Sequence, residues 1–159
     1  MVGEKFFKAT NIQPLPDISI LQTNDQKILL MHGDTLCTDD KEYQKFRKLT
    51  RSVSWKENFL SKSLDERMKI CKELRDKSEK AKKNKEEYIM DVNPGTVQKV
   101  FSKYNFPPFL IHGHTHRLKT HEYIFGKHEC QRWVLGDWHR EGNYISFIDN
   151  QLKYGFLVS

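Results

Sequence analysis

Short apolar runs ending at histidine-rich turns set the pattern of this chain. KILLM (Lys27–Met31) leads straight into His32-Gly33-Asp34, and Phe109-Leu110-Ile111 leads into His112-Gly113-His114. Such runs are short for a helix, so each predicts a buried strand followed by a turn. Between them the period becomes helical. Thr38-Asp39-Asp40 predicts a helix start, with Thr38 as cap and the carboxylates at the positive end of the dipole. Tyr43 and Phe46 lie three apart and share a face of that helix. Ser63-Leu64-Asp65-Glu66 has the spacing of a capping box. Leu64, Met68, Cys71 and Leu74 follow at steps of three and four, an apolar stripe on an otherwise charged helix expected to run to about Tyr88. Asn93-Pro94 predicts a third helix, with Asn93 as cap, Pro94 at the first position and Val97, Val100, Phe101 and Tyr104 on the buried side. Phe106-Pro107-Pro108 ends it. The tail predicts strands over 132–135, 144–148 and 152–158, with Asp149-Asn150 as a hairpin turn between the last two.

The chain has 159 residues, 37% hydrophobic and 30% charged, which fits one domain with a modest core. No apolar run approaches ~18 residues, the length a spanning helix needs. The opening Met1-Val2-Gly3-Glu4-Lys5 lacks the basic-then-apolar order of a signal peptide. Three cysteines at wide spacing argue against a disulfide framework and for a reducing cytosol. The net charge of +6 is unevenly spread: residues 62–85 hold ten Lys or Arg against five Asp or Glu. A basic stripe of this kind suits nucleic acid, an anionic membrane surface or a phosphorylated ligand. Nucleic acid is the least expected, because no stacking aromatics or recognisable nucleic-acid fold accompany it.

The histidine turns carry the chemistry. In Gly113-His114-Thr115-His116 two imidazoles can aim at one point while Gly113 lets the backbone turn sharply. His32 repeats the device after the first strand. Neutral imidazole suits Zn, Mn, Fe or Ni. Cys37, in the loop between His32 and Asp40, is expected to be a small buried side chain rather than a reactive thiol.

MHGDTLCTDD (31–40) followed by IHGHTHR (111–117) resembles the calcineurin-like metallophosphoesterases. Tyr43, Phe46, IMDVNP (89–94) and VLGDWH (134–139) narrow the resemblance to the branch that acts on UDP-2,3-diacylglucosamine in lipid A synthesis. The resemblance covers essentially the whole chain. It implies an α/β fold, a metallophosphoesterase αββα sandwich with a helical cap inserted over about residues 39–90. It implies hydrolysis of the substrate's pyrophosphate to UMP and 2,3-diacylglucosamine 1-phosphate at a dinuclear centre, typically of Mn2+. It also implies a cytoplasmic protein, peripheral on the inner face of a Gram-negative inner membrane. The metal positions matched are His32, His114 and His116; His112 matches a family histidine that is not a ligand.

The resemblance further assigns the substrate contacts to Asp40, Tyr43, Phe46, Phe59, Arg75, Ser78, Lys82, Lys85 and His114, with Phe59 near an acyl groove. Arg75, Ser78, Lys82 and Lys85 also stand at steps of three and four, hence on one face of a helix. Position 82 departs from the family pattern, which has asparagine there. The family's other metal motifs (Asp-x-His, Gly-Asp and Gly-Asn-x-Asp) have no match ahead of Met31. Asp137-Trp138-His139 spells the first of them, but it aligns with a C-terminal family segment and reads as loop packing by Trp138. The expectation is therefore a C-terminal part of one metallophosphoesterase domain over residues 1–159, lacking the first strands, inactive alone and poorly stable, because three neutral histidines do not balance two dications. Two alternatives stay open: another metallophosphoesterase, such as a phosphodiesterase or dinucleoside polyphosphatase, or a non-enzymatic basic helical module binding membrane or nucleic acid.

Overall fold

The computed structural model describes residues 4–23, 25–83, 85–139 and 141–157; the side chains of Glu4, Lys82, Lys83 and Glu87 lie outside the description. The protein is α/β. It divides into two compact units, residues 1–33 with 98–159, and residues 34–97.

The first unit is built on a five-stranded mixed sheet. Its strands are β1 (Ile18–Gln22), β2 (Lys27–Met31), β3 (Phe109–His112), β4 (Lys119–Phe125) and β5 (His128–Val134), in the spatial order β1-β2-β3-β5-β4. The three central strands are parallel, and each edge strand is antiparallel to its neighbour. The unbroken apolar run of β2 fits this central position, because a strand covered on both faces has no side for polar residues. In-register pairing puts Leu110, His112, Arg132 and Val134 on one face, and Phe109, Ile111, Gln131 and Trp133 on the other. Phe101, fully buried, lies on the first face against Tyr123 and Phe125, with ring centroids 5.7 and 5.5 Å away. The second face meets a separate hairpin, β6 (Gly142–Ile148) and β7 (Gln151–Leu157), through Trp133–Tyr154 and Phe109–Phe147 ring contacts. Asp149 and Asn150 turn this hairpin with φ of 52° and 60°, the left-handed pair that a two-residue type I′ turn requires.

The second unit is helical. Its helices are α2 (Lys41–Thr50), α3 (Val53–Leu60) and α4 (Leu64–Lys83), following the short α1 (Glu4–Thr10) of the first unit in chain order. The next helix, α5 (Pro94–Lys103), starts here and ends in the first unit. Ser63 and Glu66 form the expected capping box: Glu66 N donates to Ser63 Oγ, and the Ser63 amide and hydroxyl donate to Glu66 Oε2. Those two bonds, the amide's first, hold the Glu66 carboxyl below its ordinary range. Asn93 caps α5 as expected, accepting from the Thr96 amide at 3.0 Å.

A buried carboxylate fixes α2. Asp34 is 0% exposed, and its Oδ2 lies 2.7 Å from both Arg47 Nε and Arg51 Nη2. A buried charge is tolerated only when paired in this way. Tyr43 Oη donates to the same oxygen at 3.4 Å, and Gln44 Nε2 donates to the carbonyls of Asp34 and Cys37. Burial, and then the Asp34 charge, push the Tyr43 phenol up to about 12.

Several expectations need correction. Asp40, not Thr38, caps α2, accepting from the Tyr43 amide at 3.0 Å; Thr38 Oγ1 instead meets Thr96 Oγ1 at 2.9 Å. Helix α4 ends at Lys83, short of Tyr88, because Glu86 is extended and a 3-10 turn takes over at Glu87–Met90. The apolar stripe of α4 is turned outward: Leu64, Met68 and Cys71 are exposed, while Arg67, Ile70 and Leu74 are half-buried. Helices α1 and α3 and strands β1 and β4 were not expected. The strand read at 132–135 begins earlier, at His128, and its extension pairs with β4.

Two consequences are measurable. Gly33 has φ of +103°, and a Cβ there would stand 2.6 Å from His112 Nδ1 and 3.0 Å from the Gly113 carbonyl oxygen. Strain and overlap together make Gly33→Ala cost on the order of 2–4 kcal/mol, read as a lower urea midpoint at unchanged slope. Tyr43 gives the second. Its raised pKa contributes stability that is complete below its ordinary 10.0 and is lost as pH rises through about 12. The stability of the native protein relative to Tyr43→Phe should therefore be constant below that window and fall across it, measured by denaturant midpoints at stepped pH.

Candidate metal centre

Strands β2 and β3 are parallel neighbours paired from Ile28–Phe109 to Met31–His112, so their carboxyl ends lie at one edge of the sheet. Ligands of α/β sheets gather at such edges. The turn after β2 holds His32, and the turn after β3 holds His114 and His116. The Gly113 amide donates to the His32 carbonyl at 3.1 Å, which joins the two turns through the backbone. The rings of His32 and His114 stand 5.2 Å apart between centroids, tilted by 50°. His114 and His116 both adopt left-handed backbone, φ 66° and 55°, a conformation uncommon outside glycine that clusters at functional sites. His32 and His116 are exposed and His114 is half-buried.

The donor set suits a metal in part. Two imidazoles lie close together on loops anchored by paired strands, and Thr115 Oγ1, buried between the two histidines of the second turn, has no hydrogen-bond partner among the described residues. Among those residues no group of three or more His, Cys, Asp or Glu is gathered so as to hold a metal ion. His32 and His114 are thus brought together, and His116 does not complete a three-ligand cluster with them.

His112 plays a different part. It is 1% exposed, and both ring nitrogens are engaged. Arg132 Nη1 lies 2.8 Å from Nε2, and Nδ1 lies 2.8 Å from the Gly113 carbonyl oxygen. A guanidinium only donates, so Nε2 accepts and the ring proton is on Nδ1, donating to Gly113. Sequence reasoning gave Arg132 no role; a basic residue in an otherwise alternating strand was its one visible signal.

Apart from His114, the residues expected to contact substrate fall into separate groups in the helical unit. Asp40 Oδ1 accepts from Lys85 Nζ at 2.7 Å, and Glu42 Oε2 lies 3.1 Å from the same ammonium. Burial draws the Lys85 ammonium down, but these bonds and charges outweigh it and raise its pKa. Lys85 lies beyond the end of α4, so it does not share a helical face with Arg75 and Ser78, which are exposed on that helix. The Lys82 side chain lies outside the described residues. Phe46 is 39% exposed on α2. Phe59 lines a cavity of about 320 Å³ and stacks on Trp55 at 5.1 Å and 9°. Leu49, Ile70 and Lys62 share that lining. Trp55 went unnoticed in the sequence because α3 did; its four-residue offset from Phe59 was the available signal.

No family model matches the chain. It is 41% identical over 145 residues to a UDP-2,3-diacylglucosamine hydrolase of Aromatoleum aromaticum, covering 91% of this chain and 59% of that protein. A hydrolase of the same name from Serratia proteamaculans is 39% identical, with 91% and 60% covered, and one from Haemophilus influenzae is 39% identical over 157 residues, with 99% and 64% covered. The chain spans about three-fifths of the length of these curated relatives. The similarity to these hydrolases runs along nearly the whole chain, with the histidine turns inside it.

Proposed function

We propose that this chain serves the hydrolysis of the pyrophosphate bond of UDP-2,3-diacylglucosamine, giving UMP and 2,3-diacylglucosamine 1-phosphate. The observation that carries the reading is the close pair His32 and His114 at the carboxyl ends of two parallel strands, in a chain about two-fifths identical to hydrolases of that substrate. The proposed ligands of a divalent centre are His32, His114 and His116, and Mn2+ is the proposed metal, two ions in a complete site. When bound, such ions supply a water nucleophile and neutralise charge on the phosphorus oxygens. The sheet-and-hairpin stack of the first unit supports the reading of a partial αββα sandwich with a helical insertion over about residues 39–90.

The protein's own residues bind and orient. His32 and His114, on turns fixed by strand pairing, set their rings 5.2 Å apart between centroids. Asp40 and Lys85 offer a paired carboxylate and ammonium to the polar part of the substrate. Tyr43, kept protonated far above neutral pH, remains a hydrogen-bond donor. Phe59 and Trp55 present flat apolar surface suited to acyl chains. No helix among the described residues is long and apolar enough to cross a membrane. The outward Leu64 and Met68 beside the basic residues of α4 support peripheral contact with an anionic inner-membrane surface from the cytoplasmic side.

Two experiments test this reading. His114→Ala, in the chain joined to the portion of the Haemophilus influenzae relative that lies outside the match, should lower Mn2+-dependent UMP release about 100-fold or more, comparable to the loss of a key catalytic donor. Absence of UMP release from the joined protein before mutation would reject the substrate. Phe59→Ala and Trp55→Ala should each raise KM for the diacylated substrate about tenfold, an effect of ~1.4 kcal/mol, while leaving a soluble phosphodiester unaffected. Equal losses on both substrates would place the aromatic pair outside acyl recognition.

A further inference from the structure

We propose that Arg132 is a positioning residue for the imidazole pair, acting through the His112 ring. A buried arginine is costly in a sheet interior, and this one is 3% exposed. Its guanidinium reaches two neutral partners: Nε donates to Tyr123 Oη at 3.0 Å and Nη1 to His112 Nε2 at 2.8 Å. Both lie on the same sheet face as Arg132, where the parallel register sets Arg132 against Leu110 and places His112 two residues further on.

The His112 ring touches both turns. Its Nδ1–H holds the Gly113 carbonyl at the point where β3 ends and the chain bends toward His114. The same nitrogen would stand 2.6 Å from a Cβ at position 33, so the turn carrying His32 lies directly on the ring. Were the proton on Nε2, it would meet the guanidinium's own donor, and Nδ1 would face the Gly113 carbonyl with a lone pair. Arg132 excludes that tautomer. It thereby holds the ring in the one state that bonds Gly113, and the ring sets the gap between the two turns. A hydrophobic residue at 132 would fill the space without choosing the tautomer.

The purpose of this arrangement rests on the proposed imidazole centre, but its test needs neither metal nor substrate. Nitrogen-15 NMR of the metal-free chain reads the His112 tautomer, and a nuclear Overhauser contact between the His32 and His114 rings reads their approach. Arg132→Met should move the His112 proton off Nδ1, at least in part, and reduce the ring contact by half or more. Arg132→Lys, which still donates to Nε2, should restore both. If Arg132→Met does not fold, His112→Gln and His112→Leu read the same relay from the other side. Glutamine can accept from Arg132 and donate to Gly113, so the ring contact should survive; leucine can do neither, so it should be lost. An unchanged tautomer and ring contact in Arg132→Met, equal contacts in the glutamine and leucine variants, or loss of fold in every variant including Arg132→Lys would each overturn the proposal. Failure of UMP release with these signatures intact would instead count against the hydrolase reading alone.

Discussion

Strands β2 and β3 run parallel and in register, and the candidate centre follows from that single pairing. Had they been antiparallel, the turns after them would lie at opposite edges of the sheet, and His32 could not stand 5.2 Å from His114. Parallel neighbours cannot be joined by a tight hairpin; they need a crossover of a dozen residues or more. Here the crossover is the whole helical unit and α5. The pairing that brings the imidazoles together therefore also obliges the chain to leave the sheet between them. The segment that leaves is where the basic side chains are concentrated.

That division of labour explains how much was legible in the sequence. The two strands and their histidine turns were readable because a doubly covered strand is written as an uninterrupted apolar run, and a sharp turn is written as glycine. The caps at Ser63 and Asn93 were readable because they are local, each made within three residues of the chain. Edge strand β4, Lys119–Phe125, was not: His121, Glu122 and Lys119 give it no strict alternation, and its place is fixed by pairing with β5 rather than by its own composition. The stripe on α4 misled for a related reason. Period alone states which residues share a face, not which face is covered, and Arg67 and Ile70 turned out to lie inward of Leu64 and Met68.

Charge separates the two buried polar sites. At Asp34 an anion is neutralised within the fold by Arg47 and Arg51, with Tyr43 held protonated beside it, so the group is spent on anchoring α2. At Arg132 the partners on the sheet face are neutral, a phenol and an imidazole, and both are oriented by it. A paired carboxylate stabilises by cancelling charge. An arginine among neutral acceptors instead dictates where their protons lie, since it can only donate. The first arrangement fixes a helix and the second fixes a tautomer, which is why residues that composition treats alike have different consequences here.

Neutrality also shapes what the imidazole pair can do on the proposed function. Uncharged donors add nothing to offset a dication, so a centre built around His32 and His114 depends on anionic ligands to hold metal tightly. The gathered set among the described residues supplies none, and the nearest acid in sequence, Asp34, is already committed to two arginines at 2.7 Å. Both arginines sit on Oδ2 of Asp34, so a metal drawing on that oxygen would compete with the pairs that anchor α2. On the proposed function the histidines would supply direction and spacing, and charge balance would fall to carboxylates outside the set gathered among the described residues.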